Sequence, residues 1–454
     1  MAKLRVPFAD QIGQGSVTQN SREILINMYA EQQVSGRSPI VRRQRAGLSL
    51  VQALTGEKRA IEKNAGVHYL VVDATFYTFD GTTLTACGTL ETSTGYCSIV
   101  FDDNGDVGIS DGAKLYHWAG VSLSKPSMPS DVGTLTFLGG FAIYNEPDTG
   151  RWYWSGVNDM QSWDPLDFAT AENKPDTLLR VTTSYKQLWL WGMETTEVFS
   201  LTGGTDSPFS AYTTVERGIG AAFSVVSEDN SQFFLGNDWI FYRIDGYRPV
   251  MISNAAVQEW VADVPEAARS ECWGFAYTDG FNKFVTWVFP GYLALQINLA
   301  TGLWNIAKTF GRDDWNVRGS QYTRSDYVLT SAGISRLVRG LNTDDGSTMY
   351  RGGVSAPISD GLSRVLINSF VLDAEVGRTA SATSSPQIMC RVARDGETFG
   401  NERWRSLGAQ GNYKARPVWR NLGIGRKQMI EIGVTDDVEF KIMGAELEAD
   451  MLDG

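Results

Sequence analysis

Two acids four residues apart, Glu172 and Asp176 in WDPLDFATAENKPDT, are the first residues of this chain that could do chemistry. Paired carboxylates act as general acid and base when they face one another across a substrate, as in glycoside hydrolysis. Sequence spacing alone does not show that they do. This pair shares its segment with Asn173 and Pro175, and the same residue types build turns. Asp and Asn accept backbone N–H groups, and Pro fixes φ. Turn formation is the simpler reading.

The remaining candidates are weaker. ARDGETFGNERW (393–404) has the Asp-Gly turn and following aromatic of the Asp-box hairpins of sialidases, which stabilise a turn and do not catalyse. His68 and His117 each fall in an expected strand, with no third ligand or acid nearby in sequence, and read as ordinary sheet residues. The glycines of LTGGTDSP (201–208) lack the Lys and the helix that a phosphate loop requires. No GxxxxGK[ST], HExxH or GxSxG pattern occurs. Cys87, Cys97, Cys272 and Cys390 contain no CxxC pair and are expected as buried thiols. No catalytic, cofactor or metal site is expected.

The chain that would position any such residue has 454 residues, 43% of them apolar and 20% charged, with 14 Trp and 47 Gly. It is too long for one ordinary core, and the Trp and Gly content favours short strands and tight turns. No apolar run is long enough to span a bilayer, and MAKLRVPFADQIGQG lacks the apolar core of a secretion signal. Synthesis and retention in a cytoplasm are expected. Between 67 and 345 a strand, a turn and an aromatic-rich strand ending in Gly recur. The instances are ATFYTFDG, AKLYHWAG, GRWYWSG, TTEVFSLTGG, DWIFYRIDG, YLALQINLATG and AGISRLVRG. Their spacing of roughly 35 to 55 residues matches one propeller blade. An all-β chain with a β-propeller is therefore expected, seven blades favoured and six or eight compatible. Helix is expected only around 259–269 and for a turn or two near 22–31. Beyond 345, VLINSFVLDAEV, PQIMCRVARDG and KQMIEIGVTDDVEFKIMGAELEAD alternate as in an antiparallel β-sandwich. The domains are thus read as an extended N-terminal arm (1–50), the propeller (51–345) and a C-terminal sandwich (346–454).

Several stretches together resemble one family. WDPLDFATAENKPD, QLWLWGMETTEVFSLTGGTDSPFSAY, VERGIGAA, NMYAEQ (27–32) and RDGETFGNERWRSLGAQGNYKARPVWRNLGIGRKQMIEIGV are similar to the packaged-DNA stabilisation or tail-hub proteins of short-tailed bacteriophages. The resemblance covers about 145–225 and 390–448; elsewhere only the blade pattern is seen. It implies a structural virion protein without enzymatic role, made in the host bacterial cytoplasm and located in the tail. Copies in this family form a hexameric ring under the portal and its adaptor protein, close the head after packaging and continue the DNA channel. They carry the tail needle or nozzle and the fibres or tailspikes. The resemblance also implies that Glu172 and Asp176 shape an inter-blade loop.

Charge fits that role. Lys and Arg number 40 against 52 Asp and Glu, a net charge of −12, which argues against a protein that wraps duplex DNA. Packaged DNA would pass through such a ring without sequence-specific binding, and no membrane insertion is expected. The exceptions are two basic segments, with Arg37, Arg42, Arg43 and Arg45 in one and Arg416, Arg420, Arg426 and Lys427 in the other. Both are candidate interfaces to neighbours in the ring or to the adaptor. For Arg403, Arg405, Arg416, Arg420 and Arg426, pairing within the chain's own sheets is an equal alternative. The competing function is a carbohydrate-binding or carbohydrate-active propeller, with a deep axial pocket of carboxylates and aromatics. A tail nozzle in place of the hub is the other.

Overall fold

Short strands with buried aromatics and glycine-bearing turns cannot each bury two faces alone, so they must stack sheet against sheet. The computed structural model describes residues 2–5, 23–32, 39–171, 176–204, 207–322, 324–361, 363–379, 385–395 and 398–452. Seven antiparallel sheets follow one another around a ring, six of them over 58–89, 98–124, 135–170, 178–215, 226–251 and 273–306. The seventh takes three strands from 317–338 and its outermost strand, Gly47–Ala53, from the N-terminal side of the first. We call them blades one to seven. Apolar clusters join every neighbouring pair. Ile61 and Leu70 of blade one, for example, pack on Leu329 and Ile334 of blade seven, so the ring is closed.

Each of the seven repeats read from the sequence forms the third strand of a blade, from Thr75–Phe79 to Gly333–Val338. Among the described residues helix is confined to a 3-10 turn, Ala222–Ser224, and to Ala255–Ala262 and Glu266–Arg269 between blades five and six. Asn254 caps the first of these two α-helices by accepting from Val257 N, and Val257 and Val261 are buried in the core. Of the turn expected near 22–31, the described residues 23–31 are not helical. Its residues form the strands Ile24–Ile26 and Met28–Gln32, because sheet edges on both sides supply hydrogen-bond partners. Among the described residues no helix is long and apolar enough to cross a membrane.

The C-terminal strands form two facing sheets. One contains Met28–Gln32, Ile40–Gln44, Lys441–Leu452, Arg364–Ala374 and Val418–Gly425. The other contains Arg351–Val354, Lys427–Val434, Gln387–Arg394 and Arg403–Ser406. Between them lies a core that includes Phe370, Trp419, Ile430 and Phe440.

The N-terminal segment joins both bodies. Ile24–Ile26 runs parallel to the outer strand of blade six, Leu303–Ile306, and antiparallel to Arg351–Val354, so one sheet passes from propeller to sandwich. Alternation along a strand sends successive side chains to opposite faces. Ile24 and Ile26 accordingly pack on the blade-six core while Leu25 is buried in the sandwich core. Glycines at 352 and 353 permit the close approach: a Cβ there would lie 2.2 Å from Ile432 O and 2.5 Å from Ile24 O.

Candidate functional site

Inner strands bound the axis of a propeller, where propeller enzymes and lectins hold ligands. Here residues 318–322 and 324, from blade seven, occupy that axis. Arg318 lies 4.3 Å from the ring of Tyr96 and 5.2 Å from that of Trp273, which stacks on Phe223. Next to this layer Gln321 donates to the carbonyls of Phe223 (2.7 Å) and Gly274 (3.1 Å). Arg180 of blade four donates to Gln321 Oε1 at 2.9 Å and to Tyr322 Oη at 3.3 Å. Tyr322 in turn donates to Leu135 O of blade three. At the far end Arg324 makes a two-pronged pair with Glu228 at 2.6 and 2.7 Å. Side chains from so many blades can meet only at the centre of the ring. The axis is a filled polar core.

Among the described residues, Glu62 of blade one is the acid of this core that has no cation paired to it by a direct hydrogen bond. It accepts from Gln321 N (2.7 Å), Tyr322 N (3.3 Å) and the Ser320 hydroxyl, and burial raises its pKa from 4.5 to about 7 despite those donors. The folded state therefore binds this proton more tightly than the unfolded chain. Its stabilising contribution is present below pH 4.5 and is lost as pH rises through about 7. Glu62→Gln keeps the shape and cannot ionise. Between pH 5 and 8 the wild type should lose on the order of 3 kcal/mol more stability than this variant. Denaturant melts at a series of pH values check this; parallel curves would contradict it.

Asp176 is a turn residue. Its carboxylate accepts from the backbone N–H groups of Met193 (2.9 Å), Glu194 (2.7 Å) and Thr195 (2.8 Å), closing the turn between the second and third strands of blade four. Both carboxylate oxygens are thus engaged by the chain's own backbone. Glu172 lies outside the described residues. Other acids do the same work: Asp80, Asp102 and Asp111 each accept two or more backbone N–H groups of their own turns. Asp176→Ala should cost about 1–3 kcal/mol by removing three charge-assisted hydrogen bonds that hold the turn, readable as a shift in the denaturation midpoint. No change would contradict the assignment.

Of the two histidines, His68 Nε2 lies 2.9 Å from Ser325 Oγ and His117 Nε2 lies 3.0 Å from Asp106. All four cysteines are free. Asp395, in the Asp-box-like stretch, accepts from Arg426 N and Lys427 N and so holds a turn.

The two basic segments differ. Arg37 lies outside the described residues. Arg42 is buried, and Arg43 pairs with Glu31 at 3.2 Å. Arg45 is fully buried and faces Asp344 at 2.6 Å, with its guanidinium 4.5 Å from the Trp315 ring. Arg42 and Arg45 therefore lie inside the chain, where no second molecule reaches them. Asn27 completes this junction. Its amide nitrogen donates to Lys308 O and Tyr350 O, and its side-chain oxygen accepts from Lys308 N and from Arg45 Nε.

The second segment is exposed. Arg416, Arg420, Arg426 and Lys427 face solvent, and none has a described acid within ion-pair distance. Arg403 and Arg405 reach across the open side of the sandwich. They donate to the carbonyls of Arg420 (3.0 Å), Asn421 (3.1 Å) and Val418 (2.8 Å), which seals one sheet edge against the other. For these two the intramolecular alternative is realised, through backbone carbonyls and not through acids.

Sequence reasoning missed the residues of the axis and the junction. Arg180 inside the apolar strand Leu178–Ser184 and Arg351 before two glycines carried a usable signal, since a charge within a buried strand must have partners. Arg351, fully buried, donates to Gln44 Oε1 at 3.0 Å and to the carbonyls of Val438 and Asp436.

Two family models match the chain. The β-propeller of bacteriophage P22 Gp10 matches residues 5–290, and the β-sandwich of the same protein matches 355–450. No curated protein is a significant match. Among solved structures, the computationally designed Ika8 protein is 12% identical over 70% of this chain and 99% of its own, with a TM-score of 0.40. PorZ of Porphyromonas gingivalis, a bacterial surface component of the type-IX secretion system, is 11% identical over 69% of this chain and 39% of its own (TM-score 0.37). YCF48 from Cyanidioschyzon merolae is 10% identical over 64% of this chain and 99% of its own (TM-score 0.42). These structural likenesses are too distant to carry a functional argument.

Proposed function

The chain belongs to the bacteriophage P22 Gp10 stabilisation family, and from that premise we propose that it is a tail hub closing the phage head after packaging. Copies assemble as a ring of six under the portal and its adaptor, as the family resemblance implies. The ring continues the DNA channel and anchors the tail needle or nozzle and the fibres or spikes. It is made in the host cytoplasm, has no catalytic role and lets DNA pass without reading its sequence.

One observation carries this reading beyond the family match: propeller and sandwich share a continuous sheet through Ile24–Ile26. Such a body transmits force between distant contact surfaces without flexing at a linker. The filled axis counts against the carbohydrate reading, because Gln321, Tyr322 and Arg180 stand where a sugar would bind. The test uses DNA-filled heads that carry portal and adaptor but lack this chain. Added protein should retain the DNA that untreated heads lose. Equal leakage with and without it would contradict the proposal.

A further inference from the structure

The exposed arginine edge of the sandwich has a complement elsewhere on the same chain. Residues 391–427 hold nine Lys and Arg against three Asp and Glu, in a chain of net charge −12. Arg416 and Arg420 point to solvent beside Ile424 (48% exposed), and Trp404 (43% exposed) lies on the same edge. Blade three carries the opposite character. Its loop 157–168, VNDMQSWDPLDF, contains Asp159, Asp164 and Asp167 and no Lys or Arg. Leu166 at its tip is 81% exposed, with Val157 at 65% and Phe168 at 39%. An apolar side chain left so open inside an acidic loop fits burial against a cationic, partly apolar partner.

The positions of the two surfaces matter as much as their charge. The sandwich extends outward from blade six, and blade three is three places away on the far side of the seven-membered ring. One chain cannot bring them together. We infer that the arginine edge of one copy docks on the acidic loop 157–168 of the next, a head-to-tail contact between copies of this chain. A heterologous contact of this kind, repeated, closes into a ring if its rotation permits. The inference rests on the ring assembly proposed above and adds which surfaces form it.

The test compares full-length variants by sedimentation and native mass spectrometry, alone and with portal–adaptor complexes. Arg416→Glu/Arg420→Glu and Leu166→Asp alter exposed side chains, so each should keep the wild-type melting temperature. Each should weaken association between copies about a hundredfold. Adding Asp164→Lys/Asp167→Lys to the arginine variant should restore much of it. Assembly by both single-surface variants as in the wild type, or loss in only one of them, overturns this pairing and leaves the ring reading standing. A wild-type chain that binds portal–adaptor complexes only as isolated copies overturns the ring reading itself.

Discussion

Replacing Arg45 with Met is expected to lower the stability of the folded chain by about 3–5 kcal/mol, because it strands the buried Asp344 without its cation. Arg45 donates to both oxygens of Asp344 (3.0 and 2.6 Å), to Ala46 O and Lys308 O, and to the side chain of Asn27. Asp344 belongs to the short strand Thr343–Asp344 that pairs with the closing strand of blade seven, Asn27 to the N-terminal segment and Lys308 to the exit from blade six. One guanidinium therefore fixes three parts of the chain. Arg45→Met/Asp344→Leu should recover much of the loss, since an apolar pair of similar size pays no penalty for a lone buried charge. Urea unfolding of the two variants measures this. A single variant within about 1 kcal/mol of wild type would contradict the assignment.

Leu25→Asp is expected to separate the two bodies. Leu25 is fully buried in the sandwich core, while its neighbours Ile24 and Ile26 pack on blade six. A carboxylate at 25 must either enter an apolar core or pull its strand out of the sheet, at a cost of several kcal/mol. The propeller keeps its closing strand, Gly47–Ala53, which lies beyond the lesion. The variant should thus unfold in two transitions, the sandwich first, with new proteolytic cleavage between 340 and 350. One cooperative transition at the wild-type midpoint would contradict the shared-sheet account.

The sequence made the third strands legible because each combines buried aromatics with a glycine-bearing turn, as in Phe241–Asp245 before Gly246 (φ 64°). Outer strands escaped notice. Arg248–Met251 and Leu84–Thr89 bury little and carry no alternation, since their register comes from the neighbouring strand. The strand Ile24–Ile26 is three residues long, too short for any periodicity, and its partners lie hundreds of residues away. Long-range pairing of that kind leaves no local trace. The same holds for the basic segments. RSPIVRRQR and KARPVWRNLGIGRK look alike in composition, yet Arg45 is buried on Asp344 and Arg420 is exposed, because only the first meets an acid through the fold. Asp176 could be read as a turn residue from its neighbours, but the three N–H groups it holds belong to residues 193–195.

The most direct test of the hub account is the mass of the purified chain in solution, alone and bound to portal–adaptor complexes. The account predicts copies that join as a closed ring on the adaptor. A chain that stays monomeric, ignores the adaptor and binds or cleaves bacterial polysaccharide would contradict it.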